Sequence, residues 1–344
     1  MERRIRVLVT DDSAFMRRAI ARMLEGEDDF EIVATVASGE EAVEKTRALR
    51  PDVVTMDVEM PGIGGLEAIK RIAAESGTPI IMVSALTREG AEITLRGLEL
   101  GALDFIPKPD SAYIDIVKLR SELVEKVRTF GRRASRSAAP VSRRPRTAAG
   151  PCGCVVIGAS TGGPIALSRI IAGLPAAYPV PLLLVQHMPP GFTKPLADRL
   201  NSAGPLEVVE GTNGMALAPR RAILAPAGLH LRLRRSGERV VVALEEDPGS
   251  ALHVPSIDVA AASVAEAYGS AALGVILTGM GQDGVAGLRA IKERGGYVIG
   301  QDAETSVVYG MPRAAALAGV VDRVAPLDEV AGLLLSAAGP RGLG

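Results

Sequence analysis

The chain has 344 residues, 47% of them hydrophobic and only 3% aromatic, with no Trp and a formal net charge of -1. That length and apolar content suit two domains with packed cores, and the lack of aromatic rings removes the usual platform for stacking nucleic-acid bases. No apolar run approaches the roughly 18 residues needed to span a bilayer.

The opening MERRIRVLVTDDS meets two carboxylates after a short apolar run, which does not fit a secretory leader. Cys152 and Cys154 read as small residues entering a buried strand, reduced and unpaired. A cytoplasmic protein with no membrane insertion is expected.

Charge is unevenly spread. Residues 1–130 carry 18 basic and 24 acidic side chains, whereas residues 131–150 carry six Arg and no acid. In chain order, IRVLVT, FEIVATV, DVVTMD, PIIMVSA and LDFIPK read as strands. Amphipathic stretches such as SAFMRRAIARMLEG and SGEEAVEKTRALR separate them, and SAYIDIVKLRSELVEKVRTF reads as a closing helix. Five β/α units in this rhythm predict a doubly wound, flavodoxin-like parallel sheet over residues 1–130. GRRASRSAAPVSRRPRTAAG, residues 131–150, has no apolar periodicity and reads as a basic flexible linker.

A second alternation runs over residues 151–340: CGCVVIGAS, a helix from Gly163, PLLLVQHM and the helical FTKPLADRLNSAG. Residues 206–244 differ, with short alternating runs and turn residues that predict an annex of antiparallel hairpins. Then SIDVAAASVAEAYG, AALGVILTG, GVAGLRAIKERGG and YVIGQD resume parallel β/α units. The fold class predicted for this half is a second doubly wound, mostly parallel α/β domain. Nothing after residue 150 reads as a helix-turn-helix, so no nucleic-acid partner is expected.

Asp11 and Asp12 follow the first strand and Asp57 closes the third. Parallel strands bring these ends to one sheet edge, where open α/β folds bind ligands. Three carboxylates there repel one another unless a cation is present, and oxygen ligands of this kind select Mg²⁺. Two further strand ends supply Ser84 and Lys108, a hydroxyl and a compact cation suited to a phosphoryl group on Asp57. Singly, Asp11 or Asp12 also reads as a helix cap; jointly, five polar groups at successive strand ends do not. With DDS, MDVEMPG, SA and KP at these spacings, residues 5–125 resemble the receiver domain of two-component response regulators. That resemblance implies Asp57 as phosphoacceptor, Asp11, Asp12 and Asp57 as Mg²⁺ ligands, and Ser84 and Lys108 as phosphoryl contacts. It also implies Phe105 as the aromatic residue that rotates on activation. Gly64 stands where receivers usually carry an acid.

In VVIGASTGGP, Val155 to Pro164, a strand breaks into a glycine-rich turn before a helix. A phosphate-binding P-loop needs Gly-Lys-Ser/Thr, and no Lys follows. A dinucleotide turn wants an acid at the end of the next strand, where Gln186 and His187 stand instead. Gly158-Ala159-Ser160-Thr161-Gly162 fits G-x-S-x-G, in which small neighbours permit a sharp turn that exposes a nucleophilic Ser. The following helix N-terminus favours a developing oxyanion. His187, at the next strand end, is the candidate base. Asp283, in a second glycine-rich turn after AALGVILTG, is the candidate orienting acid. Each has a bland reading alone, Asp283 as a helix cap and His187 as a structural His. His230, read as a surface hairpin residue, and His253 are weaker candidates. The order Ser, His, Asp differs from the Ser, Asp, His order of α/β-hydrolases.

GASTGGP, QHMPPGFT, LAPAGLH, PSID, LTGMGQDG and QDAETSVVYGMP together closely resemble the chemotaxis protein-glutamate methylesterase/glutamine deamidase (CheB) family. The resemblance implies Ser160, His187 and Asp283 as the triad, Thr161 as an active-site neighbour and the Met280 backbone N–H as an oxyanion donor. No cofactor is implied in the catalytic site. It further implies methylated chemoreceptor helices as substrate, a chemotaxis histidine kinase as phosphodonor, a monomeric enzyme, and a receiver that covers the catalytic cleft until phosphorylated. Val254 replaces the Arg of the family's HRPS. The rival reading is a non-enzymatic signalling module whose second domain only docks receptors.

Overall fold

The structure is a computed structural model that describes residues 3–85, 87–108, 113–132, 152–249 and 251–339. The chain forms two compact units, Met1–Ser137 and Ala138–Gly344. Of the segment expected to be a linker, Gly131 closes a helix, and residues 133–150 lie outside the described residues.

The first unit runs β1 (Ile5–Thr10), α1 (Ala14–Glu25), β2 (Phe30–Val36), α2 (Gly39–Leu49), β3 (Val53–Asp57), α3 (Gly64–Glu75), β4 (Ile80–Ser84), α4 (Arg88–Glu99), β5 (Asp104–Pro107) and α5 (Tyr113–Gly131). Its sheet has the order β2-β1-β3-β4-β5, and every pairing is parallel. Strands β3 and β4 are buried at every residue, as parallel strands covered by helices on both faces must be. Ser13, Ser38 and Thr87 start three of the helices by accepting a backbone N–H three residues on, the N-cap role their hydroxyls suit. Connection direction reverses between β1 and β3, so a crevice opens beyond their C-terminal ends.

The second unit runs β6 (Cys154–Ala159), α6 (Gly163–Ala172), β7 (Leu182–Gln186), α7 (Thr193–Ala203), β8 (Glu207–Glu210), β9 (Arg221–Leu224), β10 (His230–Ser236), β11 (Arg239–Glu245), α8 (Ile257–Tyr268), β12 (Ala272–Ile276), α9 (Val285–Glu293), β13 (Tyr297–Gln301), α10 (Met311–Leu317), β14 (Arg323–Ala325) and α11 (Leu327–Ala337). The main sheet has the order β14-β13-β12-β6-β7-β9-β8, with parallel pairings throughout. Here the reversal falls between β12 and β6, which places the turns after those two strands side by side.

The expected antiparallel annex is present but does not fill residues 206–244: β10 and β11 pair antiparallel, and Ala216 bridges Val241 in the same sense. Strands β8 and β9 join the main sheet in parallel, with Leu182 paired to Ala222 and Val208 to Ala222 on the other side. The edge strand β8 opens with an exposed and then a buried residue, and such partial exposure in a short strand reads locally like a hairpin arm.

Glycines let the layers close. A Cβ at Gly158 would stand 2.5 Å from Ile257 Cγ2, and one at Gly274 2.3 Å from Leu288. Small residues there seat α8 and α9 against the sheet. Residues Val156, Val185, Ile257, Ala261, Ile276 and Leu288 belong to the buried core that results. The N-terminus of α8 is thereby set over the strand ends that carry the candidate catalytic residues.

Candidate functional site

In the first unit the five polar groups converge. Lys108 Nζ donates to Asp57 Oδ2 at 2.7 Å and lies 3.1 Å from Asp11 Oδ2 as an ion pair. Asp11 and Asp57 are buried, and Asp12 is exposed beside them. Burial raises the pKa of Asp57; Lys108 opposes this, the charge of Asp11 adds to it, and the net shift is upward. Burial works to lower the pKa of Lys108, but its bond to Asp57 and the charges of Asp57 and Asp11 raise it overall. One ammonium serves two buried carboxylates, which leaves the pocket short of positive charge.

Asp11, Asp12 and Asp57 each offer an oxygen within 4.8 Å of the others, and Asp11 Oδ2 makes no hydrogen bond. An all-oxygen, partly orphaned donor set beside a surplus negative charge fits a hard divalent cation. Ser84 Oγ accepts from Thr94 Oγ1 at 2.7 Å, which leaves its own proton available. Phe105 is buried, with the Lys126 ammonium 5.8 Å from its ring centroid. Gly64 opens α3 at φ 72°, where a left-handed backbone favours glycine over the expected acid.

In the second unit, Ala159 and Gln186 are the last paired residues of β6 and β7. Ser160 and His187 therefore leave the sheet side by side, and the His187 N–H donates to Ala159 O at 3.1 Å. On the other flank, the Ser160 N–H donates to Thr278 O at 3.0 Å. A Cβ at Gly279 would lie only 2.7 Å from Ser160 Cβ, so glycine is what lets the turn after β12 close on Ser160. Gly162 caps α6 at φ 76°, which makes the sharp exit that the G-x-S-x-G spacing predicts. Thr278 Oγ1 donates to Thr161 O at 2.8 Å.

That same turn carries Asp283, whose Oδ2 lies 2.8 Å from His187 Nε2. The carboxylate also receives the Ile257 N–H at 2.7 Å, the Asp258 N–H at 3.0 Å and the Ser256 hydroxyl at 3.0 Å. It thus sits on the N-terminus of α8, where backbone donors and the helix dipole favour negative charge. Burial alone would raise its pKa, but His187 and those backbone bonds hold it well below the usual carboxylate range. Since Nε2 faces the carboxylate, Nδ1 is the remaining ring nitrogen, buried and without a hydrogen-bond partner.

Three contributors were not legible in the sequence. His253, weighed only as a weak candidate, stacks on His187 with ring centroids 4.0 Å apart. Ser256 doubles as the α8 cap and a donor to Asp283. Gln186 Nε2 donates to the carbonyls of both Ser160 and His187. His230 corrects another expectation: it is buried, not a surface residue. Its Nδ1 accepts the Ser256 N–H at 3.2 Å, and Asp247 lies 3.4 Å from its Nε2. Met280 follows Gly279 at the rim of the cleft, half-buried.

The family model for CheB methylesterase matches residues 155–334, and that for the response regulator receiver domain matches residues 7–118. The chain belongs to the CheB methylesterase family. It is 42% identical to a protein-glutamate methylesterase/protein-glutamine glutaminase 1 of Oleidesulfovibrio alaskensis, over 97% of this chain and 99% of that protein. A protein-glutamate methylesterase/protein-glutamine glutaminase of Archaeoglobus fulgidus is 43% identical over 95% of this chain and 96% of its own length. Among solved structures, the CheB methylesterase catalytic domain of Thermotoga maritima is 42% identical, with a TM-score of 0.53, covering 54% of this chain and 97% of that one. The CheB-like fold accounts for the second unit, and the receiver fold for the first. Among the described residues, no helix is long and apolar enough to cross a membrane.

Proposed function

We propose that this chain is a receiver-controlled serine hydrolase that demethylates glutamate methyl esters, and deamidates selected glutamines, on chemoreceptor helices. Ser160, His187 and Asp283 carry the reaction. The observation that bears most weight is the His187–Asp283 bond through Nε2, which leaves Nδ1 unpartnered to serve as the base, on a residue that leaves β7 where Ser160 leaves the neighbouring β6.

Ser160 Oγ attacks the side-chain carbonyl carbon as His187 Nδ1 takes its proton. Asp283 keeps the ring's other proton on Nε2 and stabilises the imidazolium. The oxyanion lies towards the Met280 N–H with Thr161 beside it; the Ser160 N–H is engaged with Thr278 O and takes no part. One such donor contributes roughly 2.7–4 kcal/mol to lowering a barrier of this kind. His187 returns its proton to the leaving methoxide, releasing methanol, or to the leaving amine of a glutamine, releasing ammonia. A water that gives its proton to Nδ1 then opens the acyl-enzyme to glutamate.

In the receiver, Asp57 accepts a phosphoryl group from a chemotaxis histidine kinase, adding about two negative charges. Asp11, Asp12 and Asp57 would hold Mg²⁺, which when bound would offset the negative charge of the phosphoryl group. Ser84 donates to that group, and Lys108 moves its ammonium from the carboxylates towards it. The enzyme works in the cytoplasm as a monomer, needs no cofactor in its catalytic site and takes no nucleic acid.

The test is methanol release from a methyl-esterified receptor fragment in the presence of a small-molecule phosphodonor. Loss of release in Ser160→Ala is the expected result. Equal release by variant and wild type would overturn the nucleophile, and absence of release from both would leave the second unit a docking domain.

A further inference from the structure

The side chain of Gln186 is 2% exposed and bridges the two arms of the cleft. Its Nε2 donates to Ser160 O at 2.9 Å and to His187 O at 3.0 Å. The β6–β7 pairing has ended one residue earlier, at Ala159 and Gln186 itself. Beyond that point a side-chain amide ties the nucleophile's backbone to the base's backbone. We infer that Gln186 is a positioning residue that fixes the separation of Ser160 and His187; the inference rests on the nucleophile and base assigned above.

Two features separate this from ordinary core packing. First, both partners of Nε2 are carbonyl oxygens, so the amide has one orientation, and Oε1 is left buried without a partner. An unpartnered buried amide oxygen is costly, and an apolar side chain of similar shape would avoid that cost. The residue is therefore poorly suited to stabilising the core and well suited to holding two carbonyls. Second, the turn is shaped around it. A Cβ at Gly163 would lie 1.9 Å from Gln186 Oε1 and 2.8 Å from the Ala159 methyl. The last glycine of the GASTGG turn is thus the space that the amide occupies.

The experiment uses the full chain with a phosphodonor and two variants, Gln186→Met and Gly163→Ala. The first removes the donor at near-constant shape; the second keeps the amide but displaces it. Four quantities are read: kcat and KM for methanol release, the rate at which a sulfonyl fluoride labels Ser160, and the thermal unfolding midpoint. Positioning predicts that kcat and the labelling rate fall together by about 10- to 100-fold, the scale of a misplaced reacting group. KM stays within about twofold, the pattern of an interaction that matters on the way to the transition state. The Gln186→Met midpoint stays near that of wild type.

A folded Gln186→Met with wild-type kcat and labelling rate overturns the inference, as does a loss confined to the unfolding midpoint. Should that variant fail to fold, Gly163→Ala decides by the same readouts. Ser160→Ala run alongside keeps the two ideas apart. Activity surviving in Ser160→Ala removes the nucleophile itself, whereas activity lost there and kept in both positioning variants removes only the role of Gln186.

Discussion

The imidazole of His253 lies flat against that of His187, with ring centroids 4.0 Å apart and planes inclined by 15°. The stack presses on the ring that Asp283 holds from its edge, so His187 is fixed in two directions. It also sets a condition on charge. An imidazolium at His187 tolerates a neutral neighbour at that distance and not a second cation. Burial, and then the charge of His187, push the His253 pKa down to about 4, with Asp283 acting the other way.

Linkage turns that shift into a prediction. Unfolded, His253 titrates near 6.5. Between about 6.5 and about 4 the unfolded chain holds a proton that the native chain lacks. Stability contributed at this site therefore falls as pH drops through that window, and falls no further below it. His253→Phe keeps a stacked ring that does not ionise, so its stability curve is flatter there than that of wild type. Denaturant titrations above and within the window measure the difference, and parallel curves would count against the buried neutral His253.

Asp283→Asn is expected to lower kcat by about 10³- to 10⁴-fold, the scale seen when an orienting carboxylate becomes an amide. The same change weakens the start of α8, where the carboxylate receives two backbone N–H groups and the Ser256 hydroxyl. Loss of such a cap costs about 1–2 kcal/mol. Because the native pKa of Asp283 lies below its unfolded value, the stabilisation is complete above about pH 4 and disappears as pH falls through the native value. Kinetics and unfolding measured on one preparation separate the two effects. An active Asp283→Asn enzyme with a weakened α8 would reduce Asp283 to a helix cap.

Asp57→Asn is expected to abolish activation by a phosphodonor while leaving basal turnover in place. It also stabilises the receiver unit. The native pKa of Asp57 is raised above its ordinary value, chiefly by burial, so its ionised form at neutral pH opposes folding, and stability falls as pH rises through the shifted range. Removing that charge raises the receiver's unfolding midpoint, and added Mg²⁺ raises the midpoint of wild type more than that of the variant. Calorimetry with and without Mg²⁺ reads both shifts. A lowered midpoint in Asp57→Asn contradicts the buried-repulsion account.

Cys152 and Cys154 are expected to resist alkylation in the native protein. Burial pushes the Cys152 thiol up to about 12 and holds the Cys154 thiol well above its ordinary value, so almost no thiolate is present near neutral pH. Labelling of both thiols should track unfolding. Rapid native labelling would contradict the burial of Cys154 at the start of β6 and the raised pKa of the half-buried Cys152 just before it.

The sequence alone determined the two α/β halves, because parallel strands covered on both faces must be continuous apolar runs bounded by turn residues, as in IRVLVT and PLLLVQHM. It also determined which polar residues stand at strand ends: Asp11, Asp57, Ser84 and Lys108 in one half, Ser160, His187 and Asp283 in the other. Strand period and parallel direction carry that information locally. Tertiary structure decided what no local pattern encodes. It drew β8 and β9 into the main sheet, since pairing partners distant in the chain leave no mark on a short, partly exposed strand. It brought His253, Ser256 and Gln186 to the cleft, because their roles depend on α8 packing over Gly158 and on the turn after β12 closing at Gly279. Those contacts join residues far apart in the chain, so they exist only once the sheet has formed.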